Sequence, residues 1–200
     1  MKRTSERLPD ALVLMSNAGW PLDYDVTPGE AVNLADMLEA GKKIEVDEYM
    51  TQIFENSIDD LFETFCKRHS TRTHIFDEIL KCYQQEMYYT GISSVLSQID
   101  GICNDFTSND FFRSSHQKPN VTHYLMNQSG NKNNWLLGPI SKVPPVGRSV
   151  NDKKEGDLNR HSIMHGIDIT YGNQTNFLKA IAWLKYLSDV LWFDNAKNAT

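Results

Sequence analysis

The segment QTNFLKAIAWLKYLSDVLWF (174–193) carries apolar residues at Phe177, Ile181, Leu184, Leu187 and Leu191. Spacings of three and four put them on one stripe of an α-helix, whereas a strand, with its alternating faces, scatters them. Such a stripe has to be covered, and the same period recurs upstream. In VDEYMTQIFENSIDDLFETFCKRH (46–69), Ile53, Phe54, Ile58, Leu61, Phe62 and Phe65 make one face, and in RTHIFDEILKCYQQEMYY (72–89) Ile75, Ile79 and Tyr83 keep step. GISSVLSQIDGICNDF (91–106) is apolar over most of its length, as expected of a central helix. TPGEAVNLADMLEAGKK (27–43) opens with Thr27 as N-cap, Pro28 at the first helical position and Glu30 three residues on, a capping box, with Gly41 to end it. These patterns predict an all-α bundle of about five or six helices.

Residues 114–156 break the period. Asn, Gly, Pro and Ser dominate NQSGNKNN (127–134) and VPPVG (143–147), with NWLLGPI (134–140) as a short strand or packed turn between them. One long irregular loop is expected here, and loops of this length inside a domain tend to be functional or disordered. The chain accordingly divides into an N-terminal helical segment, 1–66, packed on or continuous with the bundle, and a helical domain, 67–200, that carries the loop.

Charge is distributed unevenly. The formal net charge is −6 over 200 residues, which argues against a chain coated in nucleic acid. From Arg113 to Arg160, however, eight Lys and Arg face three acids, so that stretch is +5 and the remainder is −11. It is either a solvated loop or the place where a phosphate-bearing substrate is held. Three cysteines without CxxC spacing read as free thiols. The N-terminal run ALVLM is too short for a signal peptide and no stretch reaches the length of a membrane span, so a cytoplasmic protein without membrane contact is expected.

The basic stretch leads into LNRHSIMHG (158–166), where an arginine and two histidines crowd together. Asp157 as N-cap and Gly166 past the C-terminus frame a short helix. His161 and His165, four apart, share its face, and Arg160 in the first turn curls toward them beside free N–H groups that attract anions. A zinc site built on the pair lacks the intervening Glu of the HExxH pattern, and Arg160 repels a cation. Phosphodiester chemistry suits these residues better. A histidine near its ordinary pKa of ~6.5 takes a proton from a ribose 2′-OH or gives one to a leaving 5′-oxygen. The neighbouring arginine forks the phosphate and offsets charge in the transition state. Neither metal nor other cofactor is required. Structural histidines on short helices are common, and spacing alone leaves that alternative open.

RHSIMH (160–165) resembles the R-[NDH]-xxx-H signature of HEPN domains, the higher-eukaryote and prokaryote nucleotide-binding helical domains. YYTGISSVLSQIDGIC (88–103) resembles the helix that precedes the signature in a bacterial branch of that family. LNRHSIMHGIDITYGNQTNFLKAIAWLKYLS (158–188) is similar to that branch's NRHxxxHG…YG…N…KA ending. The likeness covers roughly residues 70–200. It implies a HEPN-like bundle that forms a homodimer with the motifs facing each other. It also implies a metal-independent endoribonuclease leaving a 2′,3′-cyclic phosphate, of the kind found in toxin and anti-phage systems, with RNA as substrate and an antitoxin or regulatory protein as partner. Position by position, His165 becomes the acid/base residue, Arg160 the phosphate holder and His161 the polar residue that orients them. Asn more often stands at the position of His161, which leaves the division of labour between the two histidines open. Asn159, Tyr171, Asn176 and Lys179 fall beside the motif as candidate substrate contacts. Trp135 in the basic loop is placed to stack on a base, or to anchor the loop by packing. Gln98 and Asp100 interrupt an apolar helix and are candidate anchors for Arg160. Some family members are inactive scaffolds that bind a partner protein or a nucleotide, and the acidic remainder of the chain keeps that reading in play. For a dimer, the apolar stripe of the last helix (Ile181, Leu184, Leu191) or the exposed side of the motif helix is the expected contact surface.

Overall fold

A computed structural model describes residues 2–128, 135–152 and 158–198. The fold is all-α. Among the described residues there are eight α-helices: α1 (Lys2–Asn17), α2 (Pro28–Glu39), α3 (Lys43–Arg68), α4 (Thr73–Gln84), α5 (Tyr88–Thr107), α6 (Asn120–Gln128), α7 (Arg160–Met164) and α8 (Gln174–Asn198). Strands β1 (Ser114–Ser115) and β2 (Lys118–Pro119) form one antiparallel hairpin. None of the described helices is long and apolar enough to cross a membrane.

Helix α8 is the axis of the molecule. Its stripe proves to be part of a helix buried on every side from Phe177 to Leu191, apart from half-buried Lys185. A helix apolar all round belongs inside a fold. The expectation that Ile181, Leu184 and Leu191 form a dimer surface is therefore corrected, since all three are at most 1% exposed. Helix α5 lies along α8, and Gly91 permits the approach: a Cβ there would stand 2.3 Å from a ring carbon of Phe177. Helix α3 packs on α8 and α4 and buries Val46, Met50, Phe54, Ile58, Phe62 and Phe65, a stripe rotated from the expected one, so Ile53 is left at the surface. One continuous apolar core runs from Leu8 through Leu191 and joins the first 66 residues to the rest.

Two helices escaped the sequence reading. α1 packs on α2, and α6 falls within the expected long loop. That expectation is corrected. Besides the hairpin and α6, the region holds short 3-10 turns at Trp135–Ile140, Pro145–Gly147 and Val150–Asp152. The first of them buries Leu136, Leu137 and Ile140, and its backbone carbonyls accept hydrogen bonds from Ser16, Thr122 and Tyr186. Elements this short give no period to read. Residues 129–134 of NQSGNKNN lie outside the described residues.

The capping of α2 follows its sequence. Thr27 Oγ1 accepts from the Glu30 amide at 3.3 Å, while the Glu30 carboxylate takes the Tyr49 hydroxyl at 2.9 Å rather than closing the box. Gly41, at φ +78°, ends it.

The charges that α8 carries inward are paired. Lys179, 4% exposed, meets Asp47 at 2.9 Å and stands over the Trp20 ring. The Lys185 ammonium donates to Asp23 at 2.7 Å, Asp25 at 2.7 Å and Asp189 at 2.8 Å, and Arg68 pairs with Asp189. Burial by itself would lower the Lys185 pKa, but Asp23 and Asp189 outweigh it and hold the ammonium above its ordinary value. Asp23, Asp25 and Asp189 bring carboxylate oxygens within 4.8 Å of one another, and the ammonium stands where a cation would. His69, 5% exposed, shares a 2.8 Å hydrogen bond with Ser188.

Lys185→Ala leaves buried Asp23 without a cation and Asp189 with Arg68 alone, and should cost about 3–5 kcal/mol in urea unfolding, because breaking one side of a buried network leaves uncompensated charge. Lys67→Ala, which breaks an exposed pair with Glu63, should change stability by less than ~0.5 kcal/mol. Burial, with help from Arg68 and Arg72, pushes the His69 pKa down to about 4. The unfolded chain, with an ordinary histidine near ~6.5, binds that proton first, so folding is favoured above ~6.5 and loses stability as pH falls toward 4. His69→Gln should flatten this acid slope by an amount on the order of 2 kcal/mol.

Candidate functional site

The motif helix α7 is shorter than expected. Asn159, not Asp157, is its N-cap; Asp157 lies outside the described residues. The Asn159 side-chain oxygen accepts from the Ser162 amide at 2.9 Å and the Ser162 hydroxyl at 3.0 Å. Its amide nitrogen donates to the carbonyls of Pro145 at 3.1 Å and Arg148 at 3.0 Å. Asn159 is fully buried. The expected substrate contact is thus a clamp that holds the basic segment 145–148 against the start of the motif.

The C-terminal end follows the sequence. Gly166, at φ +67°, takes the left-handed position that a side chain resists. Its amide bonds to the Ile163 carbonyl at 3.0 Å and the Ile167 amide to Ser162 at 2.8 Å, a Schellman closure. His165 is the C-cap and is exposed. The imidazoles of His161 and His165 stack with centroids 6.2 Å apart and planes 9° apart. Burial, then the charge of Arg160 and of His165, lowers the His161 pKa and so favours its neutral imidazole.

Arg160 is held by an aromatic ring. Its guanidinium carbon lies 5.5 Å from the centroid of Phe112. The link to Asp100 is indirect: that carboxylate accepts from the amides of Phe111 and Phe112, each at 2.9 Å, and so fixes the turn that presents the ring. Burial raises the Asp100 pKa and these two amides oppose it, with Arg160 close enough to add its charge. Gln98, the other expected anchor, bonds to Arg72 at 2.8 Å instead.

The remaining candidates scatter. Tyr171 donates to the Tyr89 carbonyl at 3.1 Å, with its ring edge-on to Tyr89, and Asn176 donates to the Tyr171 carbonyl at 3.0 Å. Both tie the 166–173 turn to α5 and α8. Lys179 is buried on Asp47, as described above, and reaches only a small crevice beside Pro145, Val146 and Leu158. Trp135, 43% exposed, begins the 3-10 turn that packs on α1. Arg160, His161 and His165 are therefore the expected residues that the fold gathers into one group, with Arg160 and His161 half-buried and His165 exposed. Sequence reading missed Phe112 and Ser162. Asn159 three residues before Ser162 and four before a buried Ile163 was the available signal, since Asn is a preferred N-cap.

Neither a family model, nor a curated protein, nor a solved structure matches this chain.

Asn159→Ala removes a cap and takes one donor from each of the Pro145 and Arg148 carbonyls, so a loss of about 2–4 kcal/mol is expected in chemical denaturation. His165→Ala, at an exposed cap, should stay within ~0.5 kcal/mol of wild type in the same measurement.

Proposed function

We propose that this chain is a HEPN-type, metal-independent endoribonuclease that works as a homodimer, with a role in toxin or anti-phage systems. The observation that carries the reading is the stacked pair of half-buried His161 and exposed His165 beside an arginine whose helix is clamped by Asn159 to a basic segment. A guanidinium stacked on Phe112 keeps its in-plane N–H fork available for a phosphate. A histidine held neutral takes the 2′-OH proton, the 2′-oxygen attacks phosphorus, and the 5′-oxygen leaves with a proton from a second imidazole. The products are a 2′,3′-cyclic phosphate and a 5′-hydroxyl. His161 is suited to the first task by its lowered pKa, and His165, the more exposed, to the second.

Two further observations support RNA and a second copy. A cleft of about 520 Å³ between α1 and residues 138–148 has Lys142 and Arg148 on its walls and, among the described residues, no acidic side chain in its lining. It continues from the segment that Asn159 holds, giving the backbone of a strand a positive track. Around the motif, Met164, Ile167 and Ile169 stand exposed, the last two at 60% and 77%, with Tyr89 donating to the Ile169 carbonyl. An apolar patch of this kind beside polar chemistry marks a contact surface, and a two-fold contact there would bring two motifs together.

The purified protein should cut RNA in EDTA and leave cyclic phosphate 3′ ends detectable by mass spectrometry, with Arg160→Ala and His165→Ala each reducing the rate by roughly 100-fold or more. Loss of cutting in EDTA would overturn the metal-free mechanism. The acid limb of the pH–rate profile should lie below ~6.5, because the base is a histidine of lowered pKa. Ile167→Glu should convert a dimer to a monomer in sedimentation velocity and remove activity with the fold intact. If wild type cuts no RNA and is tolerated by a host as well as His165→Ala, the reading falls in favour of a partner-binding scaffold.

A further inference from the structure

The N-terminal helices enclose a cavity that shares no lining residue with the motif. Helix α2 packs chiefly on α1, and α3 chiefly on α8 and α4. Between them a space of about 260 Å³ is left, walled by Leu22, Val26, Leu34, Met50, Ile53 and Phe54. This is near the lower end of the roughly 300–1,000 Å³ of small-molecule sites, where apolar walls and a few fixed polar groups are the rule. Water gains little in such a space, and its walls lack the dispersion contacts that a fitted apolar body restores.

The polar end selects the ligand. Asp23, Asp25 and Lys185 close one side of the cavity, and Glu30 stands on its wall. An ammonium has three N–H donors, and those of Lys185 go to Asp23, Asp25 and Asp189. The lysine therefore has no donor left for an anionic ligand. Carboxylates also outnumber cations: Asp23, Asp25, Asp189 and Glu30 face Lys185 and Arg68, whose guanidinium is committed to Asp189. Asp25 is 76% exposed at the side-chain level and presents its carboxylate at the mouth, where the 38%-exposed Ile53 also stands. The potential over the opening favours a positive head and opposes a negative one.

We propose that this cavity binds a small amphiphilic amine, a compact aliphatic or aromatic body seated between α2 and α3 with its ammonium group on Asp25. The site gives the first 66 residues a binding role of their own, independent of whether the motif cuts RNA.

The test uses the full chain and three probes of equal length: n-hexylamine, 1-hexanol and sodium hexanoate, followed by titration calorimetry and by NMR of the Met50 and Ile53 methyl groups. Hexylamine should bind roughly tenfold more tightly than hexanol, and hexanoate least, with the shifts centred on those methyls. Asp25→Asn should bring hexylamine down to the level of hexanol while leaving hexanol unchanged. Ile53→Trp, at a partly exposed wall position, should fill the space and weaken all three. Should Ile53→Trp fail to fold by circular dichroism, the wild-type methyl shifts and Asp25→Asn decide the matter. The proposal is overturned if hexanoate binds as well as hexylamine, if no probe moves the Met50 and Ile53 methyls, or if the amine preference survives Asp25→Asn. Hexylamine binding undiminished in folded Ile53→Trp would identify mere association with an acidic surface and would overturn it equally.

Discussion

A helix that must be covered on every side governs this fold. From Phe177 to Leu191, α8 exposes almost nothing; α3 and α5 pack along it, and its Tyr186 hydroxyl donates to the Leu136 carbonyl of the turn at Trp135–Ile140. Burying such a helix removes a large apolar area from water, the dominant favourable contribution to folding. It also drags Lys179, Lys185 and Asp189 inward, and each then requires a partner, because an unpaired buried charge is far costlier than a paired one. Asp47 from α3, Asp23 and Asp25 from the loop after α1, and Arg68 from the end of α3 meet that demand. The N-terminal 66 residues are bound into the molecule by these pairs as well as by the shared core.

The motif depends on that framework through a small number of polar contacts. Asn159 spends all of its hydrogen-bonding capacity inside the protein, on Ser162 and on the carbonyls of Pro145 and Arg148. Asp100 Oδ1 takes both amides of the turn that carries Phe112, and Phe112 carries Arg160. Neighbouring residues thus supply the rigidity of the motif, and His165 stays exposed. The basic segment and the motif thus belong to one unit, although nine residues lie between Arg148 and Leu158.

Legibility in the sequence varied with the length of the element. The long helices α3, α4, α5 and α8 were visible as apolar periods, and Thr27, Gly41 and Gly166 marked ends that the structure keeps. Face assignment was weaker: Ile53 and Leu61 fit the period of α3, yet Val46 and Met50 are the ones turned inward. A period of 3.6 tolerates neighbouring choices, and only the packing partner selects among them. Helix α6 and the 3-10 turns stayed hidden because a few residues rich in Asn, Gly and Pro look alike whether they are packed or solvated. In the site, the triad of Arg160, His161 and His165 could be read from types and spacing, whereas Lys179 could not be placed, since its position beside the motif in sequence says nothing about Asp47 and Trp20.

By itself, then, the sequence determined the helical class, the principal helices, several of their caps and the concentration of an arginine and two histidines at residues 160–165, because these are local properties of period, conformational preference and residue type. The tertiary structure decided which charges are buried and paired, which face of each helix points inward, that Asn159 is a clamp, and that a cavity lies between α2 and α3. Those outcomes join residues far apart in the chain, as Asp23 is from Lys185 and Pro145 from Asn159. Contacts of that kind are set by how whole elements pack around α8, and no local pattern encodes them.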